Sequence, residues 1–335
     1  MRPFTYQRAD SAAAAVAAAG GRPGAVYLGG GTNLVDLMRL GVATPDALVD
    51  VSRLAADVVE ETPAGGLLIG GAVRNGDLAA HPLVRRRYPV LAEALLSGAS
   101  GQIRNMATVA GNLLQRTRCS YFQDVTKPCN KREPGTGCPA RAGDHRNLAI
   151  LGHSEECVAT HPSDLAVALT ALGATVRVEG PGGPREVPMP GLHRLPGHDP
   201  AHDTRLAPGE LITAVELPAL PMAARSRYRK VRDRASFSFA VLSVAAALDV
   251  ADGTVRDCRV ALGAVAHAPW RAWEAERALR GAPATEETFA RAARAELDQA
   301  VPLPRNAYKI PLARNLLVQV LMGLAEGPAR PAEAR

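Results

Sequence analysis

Apolar positions recur along the chain with a helical period in some segments and a strand period in others, and the switches between the two mark out short elements. The first helical run lies behind Asp10 and Ser11, passes through a series of alanines and stops at Gly20-Gly21. A strand at Val26-Tyr27-Leu28, a glycine turn and a helix from Asn33 to Met38 follow, so the N-terminal part has α/β character. Strands are predicted at residues 47–51 and 67–70, and a helix at 90–96 that ends at Gly98. Between Arg116 and Cys157 the period disappears, and Pro128, Pro134, Gly135, Gly137, Pro139 and Gly143 interrupt any regular element. A loop of that length in a compact domain is functional or disordered, and its cysteines favour function. Order resumes with a helix at 163–172 and strands at 174–179 and 211–217, separated by a Pro/Gly/His-rich hairpin and loop at 180–200. Beyond Pro221 the pattern predicts a helix at 236–248, a strand at 255–265 and helices at 270–279, 286–297 and 307–324. These form a separate C-terminal α+β domain. No internal repeat is visible.

With 335 residues, 47% of them apolar, the chain can bury a core, and its length suggests two or three domains. No apolar run is long enough to span a bilayer. The one candidate for a secretory signal, Ala12 to Ala19, begins after Asp10 without a cationic run and reads better as a capped helix, so no signal peptide is expected. The net charge of +6 raises nucleic acid as a partner, but Lys and Arg are scattered. The one tight cluster, Arg85-Arg86-Arg87, lacks interleaved aromatics and reads as a solvated face. Five cysteines are too few for a disulfide framework, and four of them fall in one window.

Tyr27-Leu28-Gly29-Gly30-Gly31-Thr32-Asn33-Leu34 places three glycines directly after a strand, where backbone N–H groups can converge on a phosphate. A dinucleotide fingerprint competes, with Asp50 at the right distance downstream, but Leu34 stands where its third glycine belongs. An ordinary strand-to-helix turn is the other account. Two later segments, Thr108-Val109-Ala110-Gly111-Asn112-Leu113 and Thr160-His161-Pro162-Ser163-Asp164-Leu165, are polar, bear glycine or proline and adjoin apolar runs. Ser163 and Asp164 open a helix whose free N–H groups can face an anionic or polar ligand, or Ser163 simply caps that helix.

Together these segments resemble the FAD-binding subunit of the xanthine dehydrogenase and aldehyde oxidoreductase family of molybdenum hydroxylases, whose fold is shared with vanillyl-alcohol oxidase and cell-wall reductases. The resemblance covers nearly the whole chain, including Pro208 to Ile212 and Tyr228 to Arg232, and departs at Ala110, where the family more often has glycine. It implies an α+β fold with a two-subdomain FAD-binding domain at 1–220 and a C-terminal α+β domain at 225–330. It also implies that Tyr27, Leu28 and the turn from Gly29 to Leu34 hold the pyrophosphate side of FAD. Thr108, Gly111 and Asn112 would approach the flavin and ribityl chain, and Ser163 and Asp164 would meet polar groups of the cofactor. Leu211 and Ile212 would pack on it, and Lys230 would lie by the isoalloxazine, where a cation stabilises the anionic reduced ring. A solvated surface lysine is the default alternative for Lys230.

Cys119, Cys129, Cys138 and Cys157 are separated by nine, eight and eighteen residues. By spacing alone they suit a [4Fe–4S] cluster, zinc without its usual C-x-x-C knuckle, or unrelated thiols. Some members of the family carry a four-cysteine [4Fe–4S] insertion at this place, which implies that cluster within about 116–157. His145, His153 and His161 could replace a cysteine in a mixed ligand set but are bystanders beside a full set of four thiolates, and Cys258, in an alternating strand pattern, is a core residue. Nothing resembles a molybdenum-cofactor pocket. The resemblance therefore implies partners, a large molybdenum-cofactor subunit and a small [2Fe–2S] subunit, with electrons passing to FAD and on to an external acceptor. The scattered basic residues and the short apolar runs lead us to expect no nucleic acid and no membrane insertion, and the poor signal candidate a cytoplasmic location or a periplasmic one reached by co-export with a partner. A stand-alone FAD oxidoreductase and a zinc-stabilised nucleotide-binding scaffold are the alternatives.

Overall fold

The computed structural model describes residues 1–54 and 58–326, and their strands form three sheets. The first contains β1 (Thr5–Arg8), β2 (Ala25–Leu28) and β3 (Ala47–Asp50), all parallel, in the order β1-β3-β2. The helices Ala12–Gly20 and Leu34–Arg39 make the crossovers, and Ser11 caps the first by accepting from the Ala14 N–H at 3.1 Å. Central β3 is buried along its length, as a middle strand between two crossover connections must be.

The second sheet is antiparallel. It contains β4 (Val59–Glu61), β5 (Leu67–Gly70), β6 (Thr175–Gly180), β7 (Gly183–Pro188) and β8 (Leu211–Leu217) in the order β4-β5-β8-β6-β7. Helices Pro89–Ser97 and Asp164–Leu172 bury their apolar faces in the core beside it. Four thoroughly buried leucines, Leu67, Leu91, Leu165 and Leu169, anchor that core. The third sheet, also antiparallel, contains β9 (Ser226–Val231), β10 (Leu242–Ala251), β11 (Thr254–Gly263) and β12 (Trp270–Arg271) in the order β12-β11-β10-β9. Helices Trp273–Leu279, Glu286–Leu297 and Lys309–Ala325 cover one face of it.

The helix expected at 236–248 is instead a loop followed by β10. Leu242, Val244, Ala246 and Leu248 join the core under the C-terminal helices, while Ala245 joins the core around the Asp164–Leu172 helix. A strand buried on both faces is an unbroken apolar run, and periodicity cannot tell it from a buried helix. Pairing with β9 and β11 overrides the helix propensity of its alanines. Residues 327–330, the end of the expected C-terminal domain, lie outside the described residues.

Within 116–157 regular structure is limited to the helix Ser120–Gln123 and the 3-10 turn Pro139–Arg141. The segment is tied to the C-terminal part. Fully buried Lys309 donates to the carbonyls of Asn147 at 3.3 Å and Leu148 at 3.0 Å and to that of Ala264. Asn306 donates to Leu148 and Ala149 at 3.3 and 3.1 Å. Among the described residues no helix is long and apolar enough to cross a membrane.

Candidate functional site

The turn after β2 lies flat against a second segment. A Cβ on Gly30 would stand 1.8 Å from the Met106 carbonyl oxygen, and one on Gly29 would stand 2.8 Å from Thr108 Oγ1. Gly31 has a φ of +73°, in the left-handed region that glycine adopts without strain. Each glycine thus has a steric reason to be there, and the turn cannot be an arbitrary tight connection. Thr108 caps the short helix Val109–Leu113, accepting from the Gly111 N–H at 3.1 Å.

A cavity of about 710 Å³ opens beside the turn, lined by Tyr27, Gly29, Gly30, Gly31, Thr32, Asn33, Leu34, Thr108, Gly111, Leu211 and Ile212. An adjoining cavity of about 340 Å³ shares Thr32, Asn33 and Gly111 and adds Asn75, Asn112, Asp164 and Lys230. Residues from three distant segments are therefore brought together with Leu211, Ile212 and Lys230. Leu28 and Ser163 line neither space. Leu28 sits behind the turn, with its Cδ1 where a Gly31 side chain would point. Ser163 does two things at once, capping its helix through the Ala166 N–H at 3.0 Å and donating to Asn112 Oδ1 at 2.7 Å. The Ala110 methyl faces the larger cavity, and its N–H donates to Gly71.

Lys230 is not a solvated lysine. Its side chain is 3% exposed, and its ammonium donates to Asp164 at 2.7 Å and to the Ser97 carbonyl at 3.1 Å. Tyr228 donates to the other Asp164 oxygen at 2.5 Å, and burial, reinforced by that carboxylate, holds its phenol well above its ordinary pKa. Asp164 is thus fixed by two internal donors, with the remaining lone pairs of its carboxylate free for a ligand. Burial also pushes the Tyr27 phenol up to about 12, and it donates to the Gly209 carbonyl at 2.6 Å.

Among the described residues, three buried polar atoms in these walls lack partners, the amide atoms Asn33 Nδ2 and Asn75 Oδ1 and the guanidinium Nε of Arg118. A buried amide left unpaired costs about 1–3 kcal/mol, so both amide atoms fit a polar ligand that would satisfy them. Together with a glycine surface that a side chain would obstruct, they fit a phosphate-bearing cofactor such as FAD. Asn75 and Arg116 escape sequence reasoning. Asn75 gives no cap or periodicity signal, and Arg116 is one arginine at the edge of an aperiodic stretch, although its N–H donates to Asn33 Oδ1 at 2.9 Å.

The four clustered cysteines are free thiols, and all four line one narrow cavity. Cys119, Cys129 and Cys157 are buried and Cys138 is half-buried. Burial raises the thiols of Cys119 and Cys138 and pushes that of Cys157 up to about 12, so these thiols stay protonated unless a cation enters. Among the described residues no three His, Cys, Asp or Glu side chains converge as a single metal ion requires. The histidines of the region are engaged elsewhere. His145 accepts from the Arg305 N–H, His153 pairs with the Val301 carbonyl, and His161 accepts from the Ser163 N–H. Cys258 is fully buried in β11.

Residues 2–220 match the family described as the FAD binding domain in molybdopterin dehydrogenase, and residues 226–324 match the CO dehydrogenase flavoprotein C-terminal domain. The chain is 51% identical over 323 residues to the aldehyde oxidoreductase FAD-binding subunit PaoB of Escherichia coli K12, covering 96% of this chain and 98% of that one. It is 27% identical to the glyceraldehyde dehydrogenase medium chain of Sulfolobus acidocaldarius, over 83% of this chain and 81% of the other. Among solved structures, a chain of CO dehydrogenase from Hydrogenophaga pseudoflava superposes with a TM-score of 0.73 at 26% identity, covering 96% and 97% of the two chains. A chain of reconstituted CO dehydrogenase from Oligotropha carboxidovorans shares the fold, with a TM-score of 0.76 at 23% identity over 97% and 98%. This chain therefore belongs to the family of FAD-binding subunits of the molybdopterin dehydrogenases, which are oxidoreductases.

Proposed function

We propose that the chain is the FAD-containing electron-transfer subunit of a molybdenum hydroxylase of the aldehyde oxidoreductase or xanthine dehydrogenase type. Its partners are a large molybdenum-cofactor subunit and a small [2Fe–2S] subunit. The observation that carries this reading is the convergence of the glycine turn, the Thr108–Asn112 segment and Asp164 with Lys230 on two adjoining cavities. The 51% identity to an aldehyde oxidoreductase FAD-binding subunit over nearly the full length of both chains favours the aldehyde type.

In this reading the backbone N–H groups from Gly29 to Leu34 hold the pyrophosphate, with Tyr27 and Leu28 supporting the turn. Thr108, Gly111 and Asn112 meet the ribityl chain and flavin, Ser163 keeps Asn112 oriented, and Asp164 accepts from polar groups of the cofactor. Leu211 and Ile212 supply apolar packing, and Lys230 supplies positive charge beside the ring. FAD, when bound, would supply redox chemistry able to pass between one-electron centres such as the partner's [2Fe–2S] clusters and a one- or two-electron external acceptor. The FAD-binding domain is assigned to 1–220 and the C-terminal domain to 225–330.

We further assign Cys119, Cys129, Cys138 and Cys157 as ligands of a [4Fe–4S] cluster. What supports this is the donor set, four free thiols facing one cavity inside an otherwise aperiodic segment. The test is purification of the complex from cells expressing the chain with its neighbours. Copurification with two further polypeptides and substrate-dependent bleaching of the flavin support the subunit reading. A chain that oxidises its own substrate without partners would replace it with a stand-alone flavoenzyme of the same fold.

A further inference from the structure

We propose that Asp203 is a positioning residue that holds one cation toward each of the two cofactor regions, and that the charge balance it sets tunes the reduction potential of the centre bound by the cysteines. The proposal rests on the cluster assignment above. Asp203 lies in the connection between β7 and β8, far in sequence from either motif. Its Oδ2 accepts from Arg116 Nε at 2.7 Å, and its Oδ1 pairs with Lys131 Nζ.

The two cations point to different places. Arg116 lines the larger cavity beside the glycine turn, and its guanidinium also lies 4.8 Å over the Phe122 ring, which is part of the wall around the cysteines. Lys131 lines the cysteine cavity itself, its side chain is 1% exposed, and it also donates to the Pro200 carbonyl at 2.9 Å. The nearest remaining titratable group is His267, whose Nε2 stands 3.7 Å from Asp203 Oδ1. Burial pushes that imidazole down to about 4, so it is neutral near pH 7. Burial alone would raise the Asp203 carboxyl, but the Lys131 and Arg116 charges outweigh it and hold the group well below the usual carboxylate range. The cysteine cavity itself is lined by the Lys131 cation and by the Glu156 carboxylate, which accepts from Asn130 at 2.6 Å, and behind them stand the Asp203 carboxylate, the Arg116 cation and the neutral His267; the Glu156 charge is the same in every variant compared below.

Each electron added to a thiolate-ligated centre makes it more negative, so a nearby cation favours the reduced form and a nearby carboxylate opposes it. Because Lys131 is out of water, solvent and salt screen its charge only weakly. Removing the Asp203 charge therefore raises the potential, and removing the Lys131 charge lowers it. A purely structural salt bridge would not produce opposite signs, since breaking it from either side disturbs the same packing.

The experiment is a redox titration, followed by electron paramagnetic resonance, of the full chain as purified anaerobically, with iron and flavin assayed on each sample. Asp203→Asn is expected to change the oxidised-to-reduced ratio about tenfold toward reduction at fixed potential, which is about 59 mV upward for a one-electron couple. Lys131→Met is expected to move it downward by a similar factor, and Asp203→Glu to return it toward wild type. Shifts of the same sign in the Asn and Met variants, or no shift in either, overturn the proposal. If Asp203→Asn fails to hold iron, Lys131→Met decides alone, with a downward shift in support and any other result against. An iron-free wild-type chain that retains flavin overturns the cluster assignment and this proposal with it, but leaves the FAD reading standing.

Discussion

Replacing Gly30 by alanine tests the reason for the glycine turn. The added methyl carbon would sit 1.8 Å from the Met106 carbonyl oxygen and 2.6 Å from its carbon, both backbone atoms that no rotamer change can move. To reach even a 3.0 Å contact, the turn and the Met106–Ala107 segment must separate by about 1.2 Å. Overpacking of this kind costs about 1–3 kcal/mol. Because the two surfaces that separate are walls of the cavities to which FAD is assigned under the proposed function, the cost falls on cofactor retention rather than on the sheets. That corresponds to roughly 5- to 150-fold weaker FAD binding. The assay is FAD released per chain after gel filtration, with the dissociation constant from flavin fluorescence. Gly41→Ala is the control. Gly41 also has a positive φ, of +75°, but nothing lies within 4 Å of its added methyl, so only local strain of about 1 kcal/mol applies and FAD is retained. A Gly30→Ala protein that binds FAD as tightly as wild type would refute the reasoning.

Cys157→Ser should cut bound iron to a small fraction of wild type while leaving FAD stoichiometry unchanged, because no cysteine of the narrow cavity lines the two flavin-side cavities; equal loss of both cofactors would count against separate sites. Arg271→Met should destabilise the fold by about 3–5 kcal/mol in urea unfolding. The buried guanidinium pairs with fully buried Glu276 and also caps the Asp164–Leu172 helix through the Thr170 and Ala171 carbonyls at 2.8 and 3.0 Å. A loss below about 1 kcal/mol would show that Arg280 alone satisfies Glu276. Burial pushes Lys309 down to about 7, so between that value and the ordinary lysine range near 10 the unfolded chain binds a proton the folded chain lacks. Stability from this group therefore rises with pH through that window, by at most about 1.4 kcal/mol per unit, and Lys309→Met should abolish that slope. Identical pH slopes in the two proteins would mean that the three carbonyls around Lys309 keep it protonated.

Much of the site was legible because glycine, proline and cysteine act through properties specific to their type. Three glycines after a strand are a steric statement, and the structure supplies the contacts that would be violated. The strand Leu211–Leu217 and the helix Glu286–Leu297 fall where their apolar periods place them. β10 does not, because burial on both faces removes the alternation that would have identified it. Lys230 was legible as a position only through a family resemblance. Its buried pairing with Asp164, 66 residues away, is a product of the fold. The same holds for Lys131 and Asp203, 72 residues apart, each an unremarkable charge in a polar stretch until the chain closes.

The account stands or falls on what the purified chain carries, and the most direct measurement is its anaerobic visible spectrum, with flavin, iron and zinc assayed on the same sample. The account predicts flavin bands over a broad iron–sulfur shoulder, with about one FAD and about four irons per chain. A colourless protein that contains zinc and no flavin would contradict it.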